Sequence, residues 1–569
     1  MRISRAKTAA AGLLIACYFL LLTRDGWKSY FDADSLLNIA YLHGYGRTPL
    51  GMMLVQALTV FTPEYRPMGG LYYRTLFAVF GLNPVAFRVA AFLLLGLNLA
   101  LAWRFARELS GSRFAAAVCT LLFAFHPALS ALYYGDGTIY DVLCLSFLLA
   151  ALITYVRVRQ EDGFLSTRDL LVVMAFFGGA LGSKEMALTF PGMLVVYEGV
   201  FHSHLRSLGR RARPIVILGV MTALCMAWKT FAPNPMSSNI GQAYTPRFDL
   251  TFIGHGYLSY YQQLVLDPSL GGTALLVGLL VALGVAAALR NRVMLFGLLF
   301  ANLALLPVCV IPGRGGFVWY IPVLGWALYA GSALWQLSTA LSALTRAPAY
   351  WQATLLGVVA IAGYWFQAPG AAQLGAPYMQ EQQPLRSLMR AARSASPKLP
   401  AGSRILLEGD PADVTSLIPL FLLRLGYRDA GLWVEPVAQL PENDSPADAG
   451  LYAMTIRRAG SGFRATTHEQ TQVAPVEVAI SPGVVHRGQA VRAAFPAGFA
   501  GCETGVAYNM PEDELLRAGV WSSWMKLDAQ GGGVAQVGRD AERGLVVIDH
   551  VRGCQGEWMP ARGSFVIIP

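Results

Sequence analysis

The chain has 569 residues, of which 55% are hydrophobic and only 14% charged, with a mean hydropathy of +0.46. Soluble domains carry about a quarter charged residues, so this composition excludes an ordinary water-soluble globule and points to a membrane protein. The net charge of +10 does not signal nucleic acid, because Lys and Arg fall in short gaps between apolar runs, the distribution of membrane-orientation signals.

A helix that crosses a bilayer core needs about 20 apolar residues. The first run, Thr8 to Thr23, follows Arg2, Arg5 and Lys7 and has no small-x-small cleavage site before Arg24-Asp25. It therefore reads as an uncleaved first helix rather than a signal peptide. Residues 24–85 form a first long outer loop, whose apolar stretches Thr48 to Phe61 and Leu71 to Phe80 predict interfacial helices. Further spans are predicted near 86–103, 114–132, 140–156, 168–183, 187–201, 214–232, 271–289, 293–311, 318–337 and 350–367, with a second long outer loop at 233–270. The total is about eleven transmembrane helices.

With the N-terminus inside, the inner gaps hold Arg104, Arg107 and Arg113; Arg157, Arg159 and Arg168; Arg206, Arg210, Arg211 and Arg213; Arg290 and Arg292; and Arg346. The opposite gaps are rich in Tyr, Trp, Pro, Asp and Gly. The positive-inside rule then places the N-terminus in the cytoplasm, and an odd span count puts residues 370–569 outside. The Ala/Gly/Arg-rich composition suggests a bacterial inner membrane and hence a periplasmic C-terminal domain.

The expected division is a transmembrane domain over 1–369 and a soluble domain over 370–569. Residues 380–396 read as a helix. From Val473 the pattern turns strand-like, in Val473 to Ile480, Ala490 to Phe495 and Gly544 to Asp549. Short strands between turns predict an α+β, β-sandwich-like domain. Cys17, Cys119, Cys144, Cys225 and Cys309 lie singly in apolar runs, whereas Cys502 and Cys554 share the C-terminal domain and are disulfide candidates in an oxidising compartment. No CxxC or Cys/His spacing supports a structural metal.

The candidate site residues all fall in the outer segments. Asp32 and Asp34, in Tyr30-Phe-Asp-Ala-Asp-Ser-Leu-Leu-Asn38, stand just beyond the first helix. A partly desolvated carboxylate there could act as a general base, although Asp34 could equally cap an interfacial helix. Arg66 and Arg74, in Tyr65 to Arg74, break the inside bias; guanidinium groups bind phosphate bidentately, and interfacial anchoring is the other reading. His126-Pro127 precedes Asp136 and Asp141, two more carboxylates, for which turn and helix-start roles would also suffice. Lys184 and Glu185 sit between two apolar spans with almost no loop, where ionisable groups are costly and tend to be paired or functional. Arg314 and Tyr320 precede a late helix, and Arg314 is a second candidate phosphate contact.

These pieces occur in a distinctive order: the acidic motif after the first helix, Arg66-Pro67 with Phe80-Gly-Leu-Asn-Pro84, His126-Pro127, Ser183-Lys184-Glu185 with Pro191, and Arg314 before Tyr320-Ile-Pro322. Over residues 10–335 the chain resembles the GT-C superfamily of membrane glycosyltransferases, notably bacterial relatives of protein O-mannosyltransferases and of transmembrane-and-TPR O-mannosyltransferases. The resemblance implies a polyprenyl-phosphate or polyprenyl-pyrophosphate sugar donor on the outer side and a glycan, lipid or protein acceptor. It assigns catalysis to Asp34 or Asp32, with Asp34 the better match, and a second acid to Asp136 or Asp141. Lys184, Arg66 and Arg314 would hold the donor phosphate, and a divalent cation is left open. The family usually has adjacent acids, which Ala33 separates here, and residues 380–569 show no TPR pattern. A flippase of lipid-linked glycans and a non-catalytic envelope assembly factor are the alternatives; the first would show mid-helix charges and a two-half repeat.

Overall fold

A membrane core offers no water to backbone groups, so each apolar run satisfies its own hydrogen bonds as a helix. The computed structural model describes residues 2–44, 49–59, 61, 66–161, 163–202, 208–231, 246–345, 348–400, 403–408, 417–429, 432–436, 452–469, 476–486, 488–509, 521–537, 544–554 and 558–568. Tyr65, Arg206, Arg346, residues 233–245 and residues 473–475 lie outside the described residues. The helices are α1 (Arg2–Leu22), α2 (Ala33–Gly44), α3 (Leu50–Thr59), α4 (Pro67–Phe80), α5 (Pro84–Ser110), α6 (Arg113–Ala124), α7 (Ser130–Tyr134), α8 (Ile139–Gln160) and α9 (Thr167–Leu181). They continue as α10 (Phe190–Phe201), α11 (Leu208–Phe231), α12 (Leu250–Val265), α13 (Gly272–Ala288), α14 (Arg292–Cys309), α15 (Tyr320–Thr345), α16 (Pro348–Ala395) and α17 (Leu417–Tyr427).

Among the described residues six helices are long and apolar enough to cross a membrane, or seven if the bent pair α6–α7 is one span, so the chain is a multi-pass membrane protein. The expected count of about eleven is not reached on this measure. The apolar windows of α1, α3 and α13 are short, and α9 and α10 have only 15 and 12 residues. The run at 114–132 bends by 56°, because Phe125 and His126 are extended ahead of Pro127, which disfavours a helical residue before it. The run at 350–367 does not stop. It continues through the expected helix at 380–396 as a single 48-residue helix.

The chain divides into two compact units: Met1–Asp32, Thr48–Leu76 and Asn83–Gln380 form the first, and Ala33–Arg47, Phe77–Leu82 and Glu381–Pro569 the second. In the first, α14 and α15 approach so closely that a Cβ on Gly297 would lie 2.5 Å from the Gly325 carbonyl, and one on Gly325 2.4 Å from that of Gly297. Small residues at such crossings let helix backbones pack without a hydrophobic driving force.

In the second unit, strands β1 (Arg404–Glu408), β2 (Trp433–Pro436), β3 (Met454–Ala459) and β4 (Gly462–Thr467) form a sheet in the order β2-β1-β3-β4. Beyond it lie β5 (Val476–Glu477), β6 (Ala479–Ser481), β7 (Val484–His486), β8 (Ala490–Ala494), β9 (Glu503–Asn509), β10 (Trp521–Lys526), β11 (Gly532–Gln536), β12 (Gly544–Arg552) and β13 (Trp558–Ile568). They make a six-stranded sheet, β10-β9-β12-β13-β5 with β7 also on β13, and a three-stranded sheet, β11-β8-β6. Val506 and Ile548 from the first and Ala493 from the second share one apolar core with Phe495 and Phe499. Cys502 and Cys554 form a disulfide, with Cα atoms 5.6 Å apart.

Candidate functional site

Lys184 joins the end of α9 to a short 3-10 helix, Glu185–Thr189, in an extended conformation (φ −158°, ψ 151°). Successive side chains of extended backbone point to opposite sides. Lys184 and its neighbour Glu185 accordingly meet different partners. The Lys184 ammonium lies 2.5 Å from Asp141 Oδ2, in the first turn of α8, and 4.6 Å from the centre of the Phe317 ring. Glu185 receives Arg66 Nη2 at 2.7 Å on Oε2 and Lys229 Nζ at 2.7 Å on Oε1.

Arg66 holds a left-handed backbone (φ 49°), unusual for a side chain other than glycine. Its carbonyl accepts from Gly69 and Gly70 at 3.0 and 3.2 Å, and Pro67 opens α4 where its missing N–H costs nothing. The Met68 N–H donates to the Gly182 carbonyl at 3.1 Å and ties this turn to the Lys184 segment. Burial would push the Glu185 carboxyl up, but Arg66 and Lys229 hold it well below the usual carboxylate range. For Lys184, burial outweighs Asp141 and moves the ammonium downward, with Arg66 adding to the shift.

A second cluster surrounds Asp136, which is buried and ion-paired with the equally buried Arg88 of α5. Tyr73 of α4 donates its hydroxyl to the Asp136 carbonyl at 2.6 Å, and Arg88 Nη1 donates to the Tyr133 carbonyl at 3.4 Å. Half-buried Asp32, immediately before α2, lies against Gly135, where an added Cβ would come within 2.2 Å of its Oδ2. Arg88 and Tyr73 are both within its electrostatic reach. The two clusters meet through aromatic rings: Tyr73 and Tyr140 have centroids 5.9 Å apart, and Arg66 sits 5.1 Å over Tyr140.

Asp34 stands in the first turn of α2, not at its cap, and is exposed. Among the described residues it makes no hydrogen bond or ion pair, and Glu381 of its own unit lies within its electrostatic reach. Arg74 is half-buried on α4. His126 uses Nδ1 to accept the Ala128 N–H at 3.2 Å, capping the short helix at Pro127–Leu129. The Arg314 backbone N–H donates to the Tyr260 hydroxyl at 3.1 Å. Tyr320 is buried at the start of α15, where Asn98 donates to its hydroxyl at 3.1 Å. Among the described residues no three His, Cys, Asp or Glu groups converge as metal ligands.

Sequence reasoning singled out neither Arg88 nor Lys229. Each stands inside a run predicted to span the membrane, at 86–103 and 214–232. A lone cation in such a run is the signal that could have exposed them.

Residues 62–230 match the family model of dolichyl-phosphate-mannose-protein mannosyltransferases. Over this segment the resemblance to GT-C glycosyltransferases is borne out. The matched segment contains Arg66, Tyr73, Arg88, Asp136, Asp141, Lys184, Glu185 and Lys229, and Asp32 and Asp34 precede it. No curated protein matches the chain. Among solved structures, apo ArnT from Cupriavidus metallidurans is similar at 15% identity and a TM-score of 0.44, over 79% of this chain and 93% of that one. ArnT from the same organism bound to undecaprenyl phosphate gives 15% and 0.40, over 78% and 92%. The Archaeoglobus fulgidus oligosaccharyltransferase in complex with Zn and sulfate gives 14% and 0.39, over 79% and 67%.

Proposed function

We propose that this chain is a membrane glycosyltransferase that moves a sugar from a polyprenyl-phosphate donor to a hydroxyl of a glycan, lipid or protein acceptor on the periplasmic side. One observation carries the reading. Arg66, Lys184 and Lys229 gather three cations around Glu185 and Asp141, inside the segment that matches the mannosyltransferase model. When the bond between the anomeric carbon and the phosphate oxygen breaks, the departing lipid phosphate gains negative charge. Fixed cations stabilise that developing charge more than the intact donor, which is the condition for lowering the barrier.

The acceptor hydroxyl loses its proton to a carboxylate as its oxygen attacks the anomeric carbon, and a single displacement inverts the configuration there. Asp34 is the proposed base, because its carboxylate is exposed and, among the described residues, uncommitted. Asp32 is held against Gly135 within electrostatic reach of Arg88 and is the positioning candidate. The test is sugar transfer from labelled polyprenyl-phosphate donors in membranes, comparing wild type with Asp34→Asn and Asp32→Asn at equal inserted protein. Loss of a general base costs about 10²- to 10⁴-fold in rate, the result expected for Asp34→Asn. If wild type transfers nothing from any donor while its envelope phenotype survives both substitutions, the assembly-factor reading replaces this one.

A further inference from the structure

The second unit carries a surface that sugar transfer does not account for. Strand β4 ends its sheet: it pairs with β3 on one side and, among the described residues, with no strand on the other. The register fixes which backbone groups face that open side. Ala459 and Gly462 close a two-residue turn, and His468 N–H bonds to the Ala453 carbonyl at 3.0 Å, so the pairs alternate between facing β3 and facing away. Phe463, Ala465 and Thr467 therefore turn their N–H and C=O groups outward. The first of these is already answered, since the Phe463 N–H donates to Ser387 Oγ at 3.1 Å. Among the described residues the N–H groups of Ala465 and Thr467 have no partner.

Between this edge and the end of α16 runs an open groove of about 520 Å³. Ser387, Ala391 and Ser394 form its helical wall, on one face by their spacing of three and four residues, and Phe463 and Ala465 form the other. Arg390 and Arg464 stand on opposite walls, both exposed; among the described residues neither has an ion pair and no carboxylate lines the groove. An open edge can take an added strand through main-chain hydrogen bonds, with specificity supplied by the charges beside it.

We propose that the β4 edge and this groove bind an extended acidic peptide segment by strand addition, its backbone on Ala465 and Thr467 and its carboxylates on Arg390 and Arg464. The occupant is a polypeptide rather than a polyanionic glycan, because the edge offers a ladder of alternating donors and acceptors at strand spacing that only another backbone matches. This inference does not depend on the transferase reading.

The experiment uses the full chain in detergent and measures fluorescence anisotropy of a short labelled peptide of alternating Thr and Glu. Comparison peptides carry Lys in place of Glu, or N-methyl groups on alternate residues. Ala465→Pro removes one outward N–H but leaves the ladder to β3 intact, since Arg464 and Thr466 carry those bonds. The expected result is binding of the acidic peptide only, weakened about tenfold or more by N-methylation, by Ala465→Pro and by Arg390→Glu with Arg464→Glu, at unchanged thermal midpoint. Should Ala465→Pro lower the midpoint, N-methylation on wild type still decides the matter. Equal binding of the N-methylated peptide would reduce the groove to a nonspecific anion patch and overturn the proposal, as would absence of binding by wild type.

Discussion

Arg66 and Glu185, 119 residues apart in the chain, are joined by two guanidinium nitrogens, Nη2 at 2.7 Å and Nε at 3.2 Å from the same carboxylate oxygen. Lys229 occupies the other oxygen. The left-handed backbone at Arg66 costs of order 1–3 kcal/mol, and the fork-shaped contact is what makes that conformation worth holding.

The two cations on Glu185 give the first prediction. Lys229→Met removes one cation from the network and leaves the Arg66–Glu185 pair in place, so kcat/KM for the lipid donor should fall about ten- to a hundredfold with the fold retained. Glu185→Gln takes away the charge that Arg66 and Lys229 share, and should lower the thermal midpoint more than Lys229→Met does. Donor kinetics and thermal unfolding of the purified variants check both. Unchanged donor kinetics in Lys229→Met would remove the phosphate role from this network.

Asp141 and Lys184 should behave as a coupled pair. Breaking a buried ion pair from one side costs about 3–5 kcal/mol, because a desolvated charge is left alone, whereas replacing both partners is far less damaging. Asp141→Leu and Lys184→Met should each destabilise the protein, and the double variant should lose less than their sum. Unfolding midpoints of the four proteins in one detergent give the coupling, and strict additivity would show that the pair contributes nothing jointly.

Gly135→Ala tests whether the placement of Asp32 matters to transfer. Gly135 has an ordinary extended φ of −129°, so alanine meets no backbone penalty, but its methyl would displace the Asp32 carboxylate. Transfer should fall to the level of Asp32→Asn without loss of inserted protein. Full activity would show that the enzyme does not need Asp32 in this position.

In the second unit, Asp528 Oδ1 accepts backbone N–H bonds from Gly532 at 2.7 Å and Gln530 at 2.9 Å, and Arg492 lies 3.1 Å from Oδ2. These bonds, the Gly532 one foremost, hold its carboxyl below the ordinary value. A carboxylate with a lowered folded pKa contributes stability above its unfolded value, about 3.9, and loses it as pH falls through the folded one. The advantage of wild type over Asp528→Ala in amide-exchange protection at Gln530 and Gly532 should hold steady near neutrality and shrink below about pH 4. A gap independent of pH would mean that the ionised form is not the one being bonded.

Much of this protein could be read from residue order. Apolar runs long enough to bury their own backbone bonds became helices, including the two expected in the first long loop, which run over 50–59 and 67–80. The strand-like pattern after Val473 became two sheets, although Val478 separates the single expected strand at 473–480 into Val476–Glu477 and Ala479–Ser481. Arg66, Lys184, Glu185 and Asp141 were singled out because charge between apolar segments is expensive and calls for a reason.

Which charge answers which was decided only by the tertiary structure. Local sequence carries period and polarity, so it could place Lys184 and Glu185 between two spans. It could not send Lys184 to Asp141 and Glu185 to Arg66 and Lys229, nor pair Arg88 with Asp136, because each partner arrives on a segment distant in the chain, brought there by packing. The fold also distinguishes the two acidic candidates, leaving Asp32 half-buried against Gly135 and Asp34 exposed in the first turn of α2. Residue order set the cost of these charges, and the fold chose their partners.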